Sequence, residues 1–340
     1  MKKYIIRFNK LKKNNNSDNT NIYNNKSYDF KYVSKGGKLL SNLNISDDLK
    51  NHIKSLNIPP AYKNVKINLN MNDSILAIGK DNRGRSQYIY NKEFKEKQEN
   101  KKYYNLIEFG MKYKKIMRKI NSDLESDVCI DKEIATVLKI ISECNFRIGS
   151  EVYKESNNSY GVSTLETKHV KINGDKINIE FIGKKGVNNK CKFKHKKLSK
   201  NLSRRKKYSK NKKSLFNISN TQINNYLKEF GNFSSKNLRT WNANIEYVYA
   251  IHKLDMTHNE PSDMTIYKRK LVSNKAVNIV AEKLHNTASV CKKNYIDTYL
   301  TDLYINKKKE FYNLFKISNN MRNKNLIIEQ FIKYLKKSFK

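Results

Sequence analysis

The sequence is short of acidic side chains, and this shortage is spread over its whole length. Its 340 residues hold 31 Asp and Glu against 70 Lys and Arg, for a formal net charge of +39. Basic residues recur from Lys2 to Lys340 and are interleaved with 22 Tyr and 14 Phe. Lys and Arg neutralise phosphates while aromatic rings meet sugars or bases, so the composition indicates a nucleic-acid partner. Charge alone does not separate an enzyme from a basic binding protein without chemistry.

Paired cysteines are also missing from the sequence. Cys129, Cys144, Cys191 and Cys291 stand far apart, and no two of them form a CxxC pair. This spacing argues against a zinc site. It predicts free thiols, which are typical of a reducing compartment.

Long apolar runs are absent as well. The first residues contain an apolar run of only three, at 4–6, which is too short for a signal peptide. No stretch approaches the roughly 18 apolar residues of a membrane span. We therefore expect a soluble, intracellular protein with no membrane partner, located in the virion or viral factory if its source is a large DNA virus.

The chain is long enough for one large or two ordinary domains. Residues 1–28 are basic and Asn-rich and predict a flexible N-terminus. Residues 29–97 hold short alternating runs at 65–67 and 88–90, which predict a small strand-rich domain. The charged stretch 92–102 is interpreted as a linker, and residues 98–340 as the main domain.

The main domain shows apolar residues at helical spacing, which predict amphipathic core helices. The four stripes are Ile134, Val137, Leu138 and Ile141; Ile223, Tyr226, Leu227 and Phe230; Trp241, Ile245, Val248 and Tyr249; and Val277, Val280, Ala281 and Leu284. A β-hairpin is predicted between them, because Asn173-Gly174 separates two alternating runs. Residues 196–213 are strongly basic and predict a tether. The fold class is therefore α+β.

Cleaving a phosphodiester without a metal ion requires a particular set of side chains. Two arginines can stabilise the extra negative charge on the non-bridging oxygens. A tyrosine can form a covalent bond to phosphorus and leave again. A lysine can protonate the departing 5′ oxygen.

Six sequence blocks present these residue types in order. They are IPPAY at 58–62, GKDNRGRSQY at 79–88, NFRIG at 145–149, FIGKKG at 181–186, KNLRTW at 236–241 and LHNTASVCKKNY at 284–295. Together they resemble the type IB DNA topoisomerases, in the compact form of poxviruses, giant viruses and bacteria. The resemblance runs from about residue 29 to about residue 300.

The resemblance implies a role for each catalytic residue. Tyr295 is expected to attack phosphorus and form a 3′-phosphotyrosine, leaving a free 5′ hydroxyl. Arg147 and Arg239 are expected to hold the non-bridging oxygens, and Lys184 to act as general acid on a hairpin in the minor groove. Because the ester keeps the bond energy, no ATP, metal or other cofactor is expected, and supercoils of either sign should relax.

The resemblance also implies one further contact to a phosphate oxygen, and two adjacent residues are candidates for it. Poxvirus relatives carry His nine residues before the tyrosine, whereas this chain has Asn286 in that register and His285 beside it. Adjacent helical residues point about 100° apart, so both cannot occupy the same spot. An Asn amide can donate a hydrogen bond, and bacterial relatives carry Asn at this position. We therefore predict that Asn286 makes the phosphate contact.

For DNA contacts the resemblance points to a second set of residues, in the small domain and after the first arginine. They are Arg83, Arg85, Gln87, Tyr88, Tyr90 and Tyr153. Gln87 can read an adenine edge through two hydrogen bonds. The expected partner is double-stranded DNA, clamped by a monomer of the protein.

Two alternatives remain at this point. A tyrosine recombinase uses the same Arg, Lys, Arg and Tyr chemistry, but it usually has His three residues before the second arginine, where this chain has Lys236. A catalytically inactive DNA-packaging protein would explain the charge, although it would not require every catalytic position to be present.

Overall fold

The computed structural model describes residues 30–33, 47–68, 70–82, 84–209, 214–256, 264–316 and 324–337. The predicted N-terminal segment 1–28 and Arg83 lie outside these residues. The chain separates into two compact units, with the boundary between Tyr104 and Asn105. A strand-rich first unit and a mainly helical second unit confirm the α+β class. The domain limits at 28/29 and 97/98 stay predictions.

The helices of the described residues are α1 (Asp47–Ser55), α2 (Lys92–Asp123), α3 (Cys129–Cys144), α4 (Glu151–Asn157), α5 (Lys196–Tyr208), α6 (Asn220–Lys228), α7 (Ser235–Met256), α8 (Ile266–Lys283), α9 (Ala288–Asn294), α10 (Thr298–Asn306), α11 (Lys308–Leu314) and α12 (Lys324–Lys337). The strands are β1 (Phe30–Val33), β2 (Lys63–Asn68), β3 (Ile75–Lys80), β4 (Ser86–Tyr90), β5 (Val170–Asn173), β6 (Lys176–Ile182) and β7 (Asn188–Lys194).

The first unit is built on an antiparallel sheet in the order β1-β2-β3-β4. The alternation at 65–67 places Val65 and Ile67 in its core together with Ile53 and Ala77. Ile89 of β4 packs against this core, while its neighbour Tyr88 is exposed. The strands predicted at 65–67 and 88–90 are therefore confirmed.

The stretch 92–102, interpreted as a linker, is the beginning of α2. That interpretation was wrong because a charged segment without Pro or Gly is also a good helix when it is rich in Glu, Lys and Gln. Farther along α2, Ile107, Phe109, Ile116 and Ile120 are fully buried. The helix therefore continues from a polar beginning into the core of the second unit.

All four predicted helical stripes are found in helices. They fall on α3, α6, α7 and α8, with Leu284 directly following the last of these. Most of the stripe residues are buried, as a core face requires. Phe230 lies just past the end of α6, where Gly231 has a positive φ of 150°.

The predicted hairpin is present, but its turn is displaced by one residue. Asn173 pairs with Lys176, so the two loop residues are Gly174 and Asp175. Gly174 takes the positive φ of 54°, a conformation that glycine adopts without strain. A third strand, β7, extends the hairpin into a sheet in the order β5-β6-β7.

The basic segment 196–213 is not a tether over its described part, since residues 196–208 form α5. Leu198 and Leu202, four residues apart, are fully buried in the second unit. Asn201 donates to the Leu124 carbonyl at 2.9 Å, and Arg205 forms an ion pair with buried Glu133 at 2.7 Å. The interpretation failed because a few apolar residues at one helical face are enough to dock a basic helix.

Two of the four cysteines are not free thiols. Cys144, the last residue of α3, is bonded to Cys191 on β7, with their Cα atoms 5.7 Å apart. Cys129 and Cys291 are not part of a disulfide. The expectation of free thiols throughout was wrong because 47 residues separate the bonded pair, so sequence spacing does not reveal that folding brings them together.

The C-terminal helix α12 docks on the second unit, a point that the sequence leaves open. Phe331 is fully buried, and its ring centroid lies 5.0 Å from that of Trp241 on α7. Phe315, just after α11, packs beside Phe331 with the two ring centroids 6.1 Å apart. None of the described helices is long and apolar enough to cross a membrane.

The docking of α12 predicts a large effect of Phe331→Ala. Removing a fully buried ring leaves a cavity, so the free energy of unfolding should fall by about 3–5 kcal/mol. The fluorescence of Trp241, the only tryptophan, reports on this contact during denaturant unfolding. Lys333→Ala, at an exposed position of the same helix, should change the free energy by less than about 0.5 kcal/mol. Equal effects of the two variants would contradict the docking.

Candidate active site

Arg147 lies in the loop that follows α3. The helix ends at Cys144 and is capped by Asn145, whose backbone is left-handed with φ 55°. The Arg147 carbonyl accepts a hydrogen bond from the Val162 backbone at 2.9 Å. Gly161 makes this possible, because a Cβ there would lie 2.3 Å from the Cα of Gly149. Two glycines in contact therefore hold the arginine loop against the segment that precedes β5.

Arg239 is on α7 and is 3% exposed. Its guanidinium donates to the carbonyl of Asn145 and, at 3.1 Å, to the carbonyl of Leu284. These two carbonyls belong to the arginine loop and to the chain just after α8. The guanidinium thereby joins three segments of the second unit, and among the described residues it has no carboxylate partner.

Tyr295 lies directly under this guanidinium. The Arg239 Cζ atom is 5.2 Å from the centroid of the Tyr295 ring, and Tyr295 is 7% exposed. The tyrosine follows α9, and its backbone N–H donates to the Cys291 carbonyl at 3.0 Å. The structure thus brings the predicted nucleophile and the second predicted arginine into contact.

Asn244 fixes the backbone of Tyr295, the predicted nucleophile, and was itself not predicted from the sequence. It is fully buried on α7, and its amide donates to the Tyr295 carbonyl at 3.0 Å. Its side-chain oxygen accepts from the Asp297 N–H at 2.8 Å. The sequence places Asn244 five residues after Arg239, which could have drawn attention to it. A single Asn among apolar helix residues is too common to indicate such a role before the fold is known.

The charges around Tyr295 change its acidity. Burial by itself would raise the pKa of the phenol, but the positive charges of Arg239 and Arg147 outweigh it and the pKa is lowered. Burial also lowers the pKa of Arg239 to about 10, helped by the charge of Arg147. The guanidinium is still protonated at neutral pH, so the site favours the anionic form of the tyrosine oxygen.

Asn286 and His285 have separate environments. The Asn286 side-chain oxygen accepts a hydrogen bond from Arg147 Nη2. Its Nδ2 is buried and has no hydrogen-bond partner among the described residues. His285 instead packs its ring 5.0 Å from that of Phe146, and its backbone has a positive φ of 53°. Only Asn286 therefore combines a contact to a predicted catalytic arginine with an unused donor.

Lys184 lies in the connection between β6 and β7. This turn is closed by a hydrogen bond of 2.8 Å from the Gly183 N–H to the Val187 carbonyl. The Tyr160 N–H donates to the Ile182 carbonyl at 2.9 Å, which joins the sheet to the segment around the first arginine. The Lys184 side chain is exposed and, within the described ranges, contacts neither Tyr295 nor either arginine.

The predicted DNA-contact residues are spread over both units. In the first unit, Arg85 and Gln87 both donate to the carboxylate of Asp81. Tyr88 and Tyr90 share one face of β4, with their ring centroids 6.1 Å apart. Tyr153, on α4 of the second unit, is 57% exposed. Among the described residues, no three His, Cys, Asp or Glu side chains are grouped so that they could hold a metal ion.

Two family models match the chain over separate ranges. Residues 91–320 match the eukaryotic DNA topoisomerase I catalytic core, which includes the whole cluster around Tyr295. Residues 29–81 match the N-terminal domain of bacterial DNA topoisomerase IB. The chain belongs to the type IB DNA topoisomerase family. As a member of this family it is an isomerase that acts on DNA.

Relatives from large DNA viruses support this assignment. The chain is 30% identical to the DNA topoisomerase 1B of Acanthamoeba polyphaga mimivirus over 276 residues, which cover 76% of this chain and 81% of the relative. It is 26% identical to the DNA topoisomerase 1B of Vaccinia virus (strain Copenhagen) over 296 residues, 80% of this chain and 89% of the relative. The resemblance to the compact viral form is confirmed, and the recombinase alternative is set aside.

The contacts of Asn244 predict a specific defect in Asn244→Ala. Without the amide, the Tyr295 carbonyl and the Asp297 N–H lose their partner, so the nucleophile should be misplaced. A displacement of this kind typically costs about a hundredfold in rate. Single-turnover cleavage of a DNA duplex measures the rate, and a gel-shift assay should show little change in noncovalent DNA binding.

Asn294→Ala is the matched control for this prediction. Asn294 is the exposed neighbour of Tyr295, and within the described part of the chain its side chain bonds only to the Val290 carbonyl of its own helix. Its replacement should leave cleavage close to that of the unmutated protein. Cleavage that is equally fast in both variants would show that Asn244 does not position the nucleophile.

Proposed function

We propose that the protein relaxes positive and negative supercoils by transient cleavage of one DNA strand through Tyr295, without ATP or a metal ion. One observation carries this proposal. Tyr295 lies under Arg239, and Arg147 lies close enough to lower the same phenol's pKa. Neither guanidinium pairs with a carboxylate in the part of the chain that the structure describes. Two unneutralised cations beside a nucleophile form a site for a phosphate group.

The reaction exchanges one phosphoester for another. The Tyr295 oxygen bonds to phosphorus while the bond from phosphorus to the 5′ oxygen breaks. The 5′ oxygen leaves with a proton, and the 3′ end stays on the enzyme as a phosphotyrosyl ester. Because this ester keeps the bond energy, the 5′ hydroxyl can attack it later and restore the strand. Rotation about the intact strand between the two steps releases supercoils.

The arginines and Asn286 supply the charge stabilisation in this proposal. Arg239 is held by two backbone carbonyls, so its orientation is set before DNA arrives. Preorganised donors of this kind are effective because they require no rearrangement as charge develops on the non-bridging oxygens. The free Nδ2 of Asn286, beside Arg147, is the corresponding donor for a phosphate oxygen.

We assign the proton donor to Lys184, and DNA binding must bring it to the reacting phosphate. The lysine is exposed in the turn between β6 and β7, where a hairpin can enter a groove of the duplex. Lys185 is adjacent but differs in backbone conformation, with a left-handed φ of 65°. That one monomer clamps the duplex stays a prediction from the resemblance.

A plasmid assay tests the proposal as a whole. Plasmids of positive and of negative supercoiling should both relax in EDTA without any nucleotide. Tyr295→Phe keeps the ring under Arg239 and lacks the nucleophilic oxygen, so it should relax neither plasmid. Relaxation that depends on added Mg²⁺ or ATP would overturn the proposed mechanism.

The assignment of the acid predicts a selective chemical rescue. Lys184→Ala should slow cleavage of normal DNA by about a hundredfold to ten-thousandfold, the usual effect of losing a general acid. Replacing the bridging 5′ oxygen by sulfur gives a leaving group that needs no proton, so this substrate should restore most of the rate. Arg239→Ala should show no such rescue, because its defect concerns charge on other oxygens.

Lys185→Ala is the matched control for the acid. It removes a second lysine from the same turn, and cleavage of normal DNA should remain close to that of the unmutated protein. If sulfur rescued Lys185→Ala and left Lys184→Ala slow, the proton donor would be Lys185.

A further inference from the structure

The turn between β3 and β4 is organised around one carboxylate, that of Asp81. The Asp81 backbone N–H donates to the Arg85 carbonyl at 3.0 Å, and the Asp81 carbonyl accepts from Gly84 at 2.9 Å. These bonds close the turn and start β4, the strand at the edge of the sheet that carries Gln87, Tyr88 and Tyr90.

Both carboxylate oxygens of Asp81 accept hydrogen bonds from this segment. Oδ1 accepts from the backbone N–H of Arg85 at 3.1 Å. Oδ2 accepts from Arg85 Nε at 2.8 Å and lies 2.6 Å from Nη2 of the same side chain. Oδ2 also accepts from Gln87 Nε2 at 3.1 Å. The carboxylate therefore contacts two of the residues expected to meet DNA.

These bonds settle which way the Gln87 amide is turned. An ionised carboxylate has no hydrogen to donate, so only the NH₂ end of Gln87 can face it. The amide then presents its oxygen and its second N–H to the surroundings. This pair is the acceptor and donor that match N6 and N7 of adenine in the major groove.

We propose that Asp81 is a positioning residue for base discrimination, which holds the Gln87 amide in the orientation that reads adenine. This inference rests on the proposed DNA cleavage. A carboxylate beside DNA opposes binding through charge, and the ion pair with Arg85 offsets part of that repulsion. Asp81 therefore acts on the choice of cleavage site and adds nothing to overall affinity.

The substitution Asp81→Asn tests this with little change of shape. The Arg85 backbone N–H still requires an acceptor, so the Asn oxygen takes the place of Oδ1 and its NH₂ group takes the place of Oδ2. Gln87 must then turn its oxygen inward and present only N–H donors. Guanine, with acceptors at both O6 and N7, becomes the better match.

Cleavage of a mixed-sequence DNA fragment gives the readout, with covalent sites mapped at nucleotide resolution. The unmutated protein should favour adenine at one fixed distance from the cleaved bond. In Asp81→Asn, the ratio of cleavage at adenine sites to cleavage at guanine sites should fall by about fivefold or more. This is the discrimination that one good two-bond contact to a base provides.

Asp73→Asn is the control for charge. Asp73 belongs to the same unit, and its carboxylate accepts from the Asn68 amide at 3.0 Å. The Asp73→Asn substitution changes the net charge by the same amount as Asp81→Asn. It should leave the distribution of cleavage sites unchanged. The inference would be overturned if the distribution of cleavage sites were unchanged in Asp81→Asn or shifted equally in both variants. It would also be overturned if the unmutated protein showed no base preference.

Failure of the proposed function would give a different result, because the unmutated protein would then form no covalent adduct at any site.

If Asp81→Asn does not fold, hydrogen exchange of side-chain amides in the unmutated protein decides the question. The Gln87 NH₂ group should exchange more slowly than that of exposed Gln98. Equal exchange of the two groups would overturn the inference.

Discussion

The active site depends on a buried positive charge that the protein does not neutralise. Arg239 is almost fully buried, and its guanidinium is held by the carbonyls of Asn145 and Leu284. Hydrogen bonds to neutral carbonyls hold Nη1 and Nη2 but leave the charge uncompensated, and the buried Nε has no hydrogen-bond partner among the described residues. This arrangement is costly in a folded protein. An anion in the site removes this cost. The same charge lowers the pKa of Tyr295, so in the proposed mechanism one guanidinium prepares both the phosphate site and the nucleophile.

The rest of the second unit supports that guanidinium. Helix α7 carries Arg239 and, five residues later, Asn244, so one rigid element holds both the cation and the backbone of Tyr295. The contact between Gly149 and Gly161 holds the loop that supplies Arg147. Elements that are distant in sequence are thereby fixed within hydrogen-bonding range of one another. This rigidity is what a reaction driven by positioning and charge stabilisation requires.

The helices could be predicted well from the sequence. Apolar residues at helical spacing, such as those on α3, mark the face that is buried. It did not predict what that face packs against, so the basic helix α5 was mistaken for a tether and the bond between Cys144 and Cys191 was missed. The catalytic side chains could be proposed because their motifs are specific. Asn244 could not, since its role exists only after folding brings Tyr295 beside α7.

The most direct test is to locate the covalent bond between protein and DNA. A duplex carrying a radiolabel on the 5′ side of the cleavage site is trapped on the enzyme, the protein is digested, and the labelled peptide is sequenced by mass spectrometry. The account predicts a single adduct, a 3′-phosphate ester on Tyr295. A bond to another residue, or an adduct on the 5′ end of the broken strand, would contradict it.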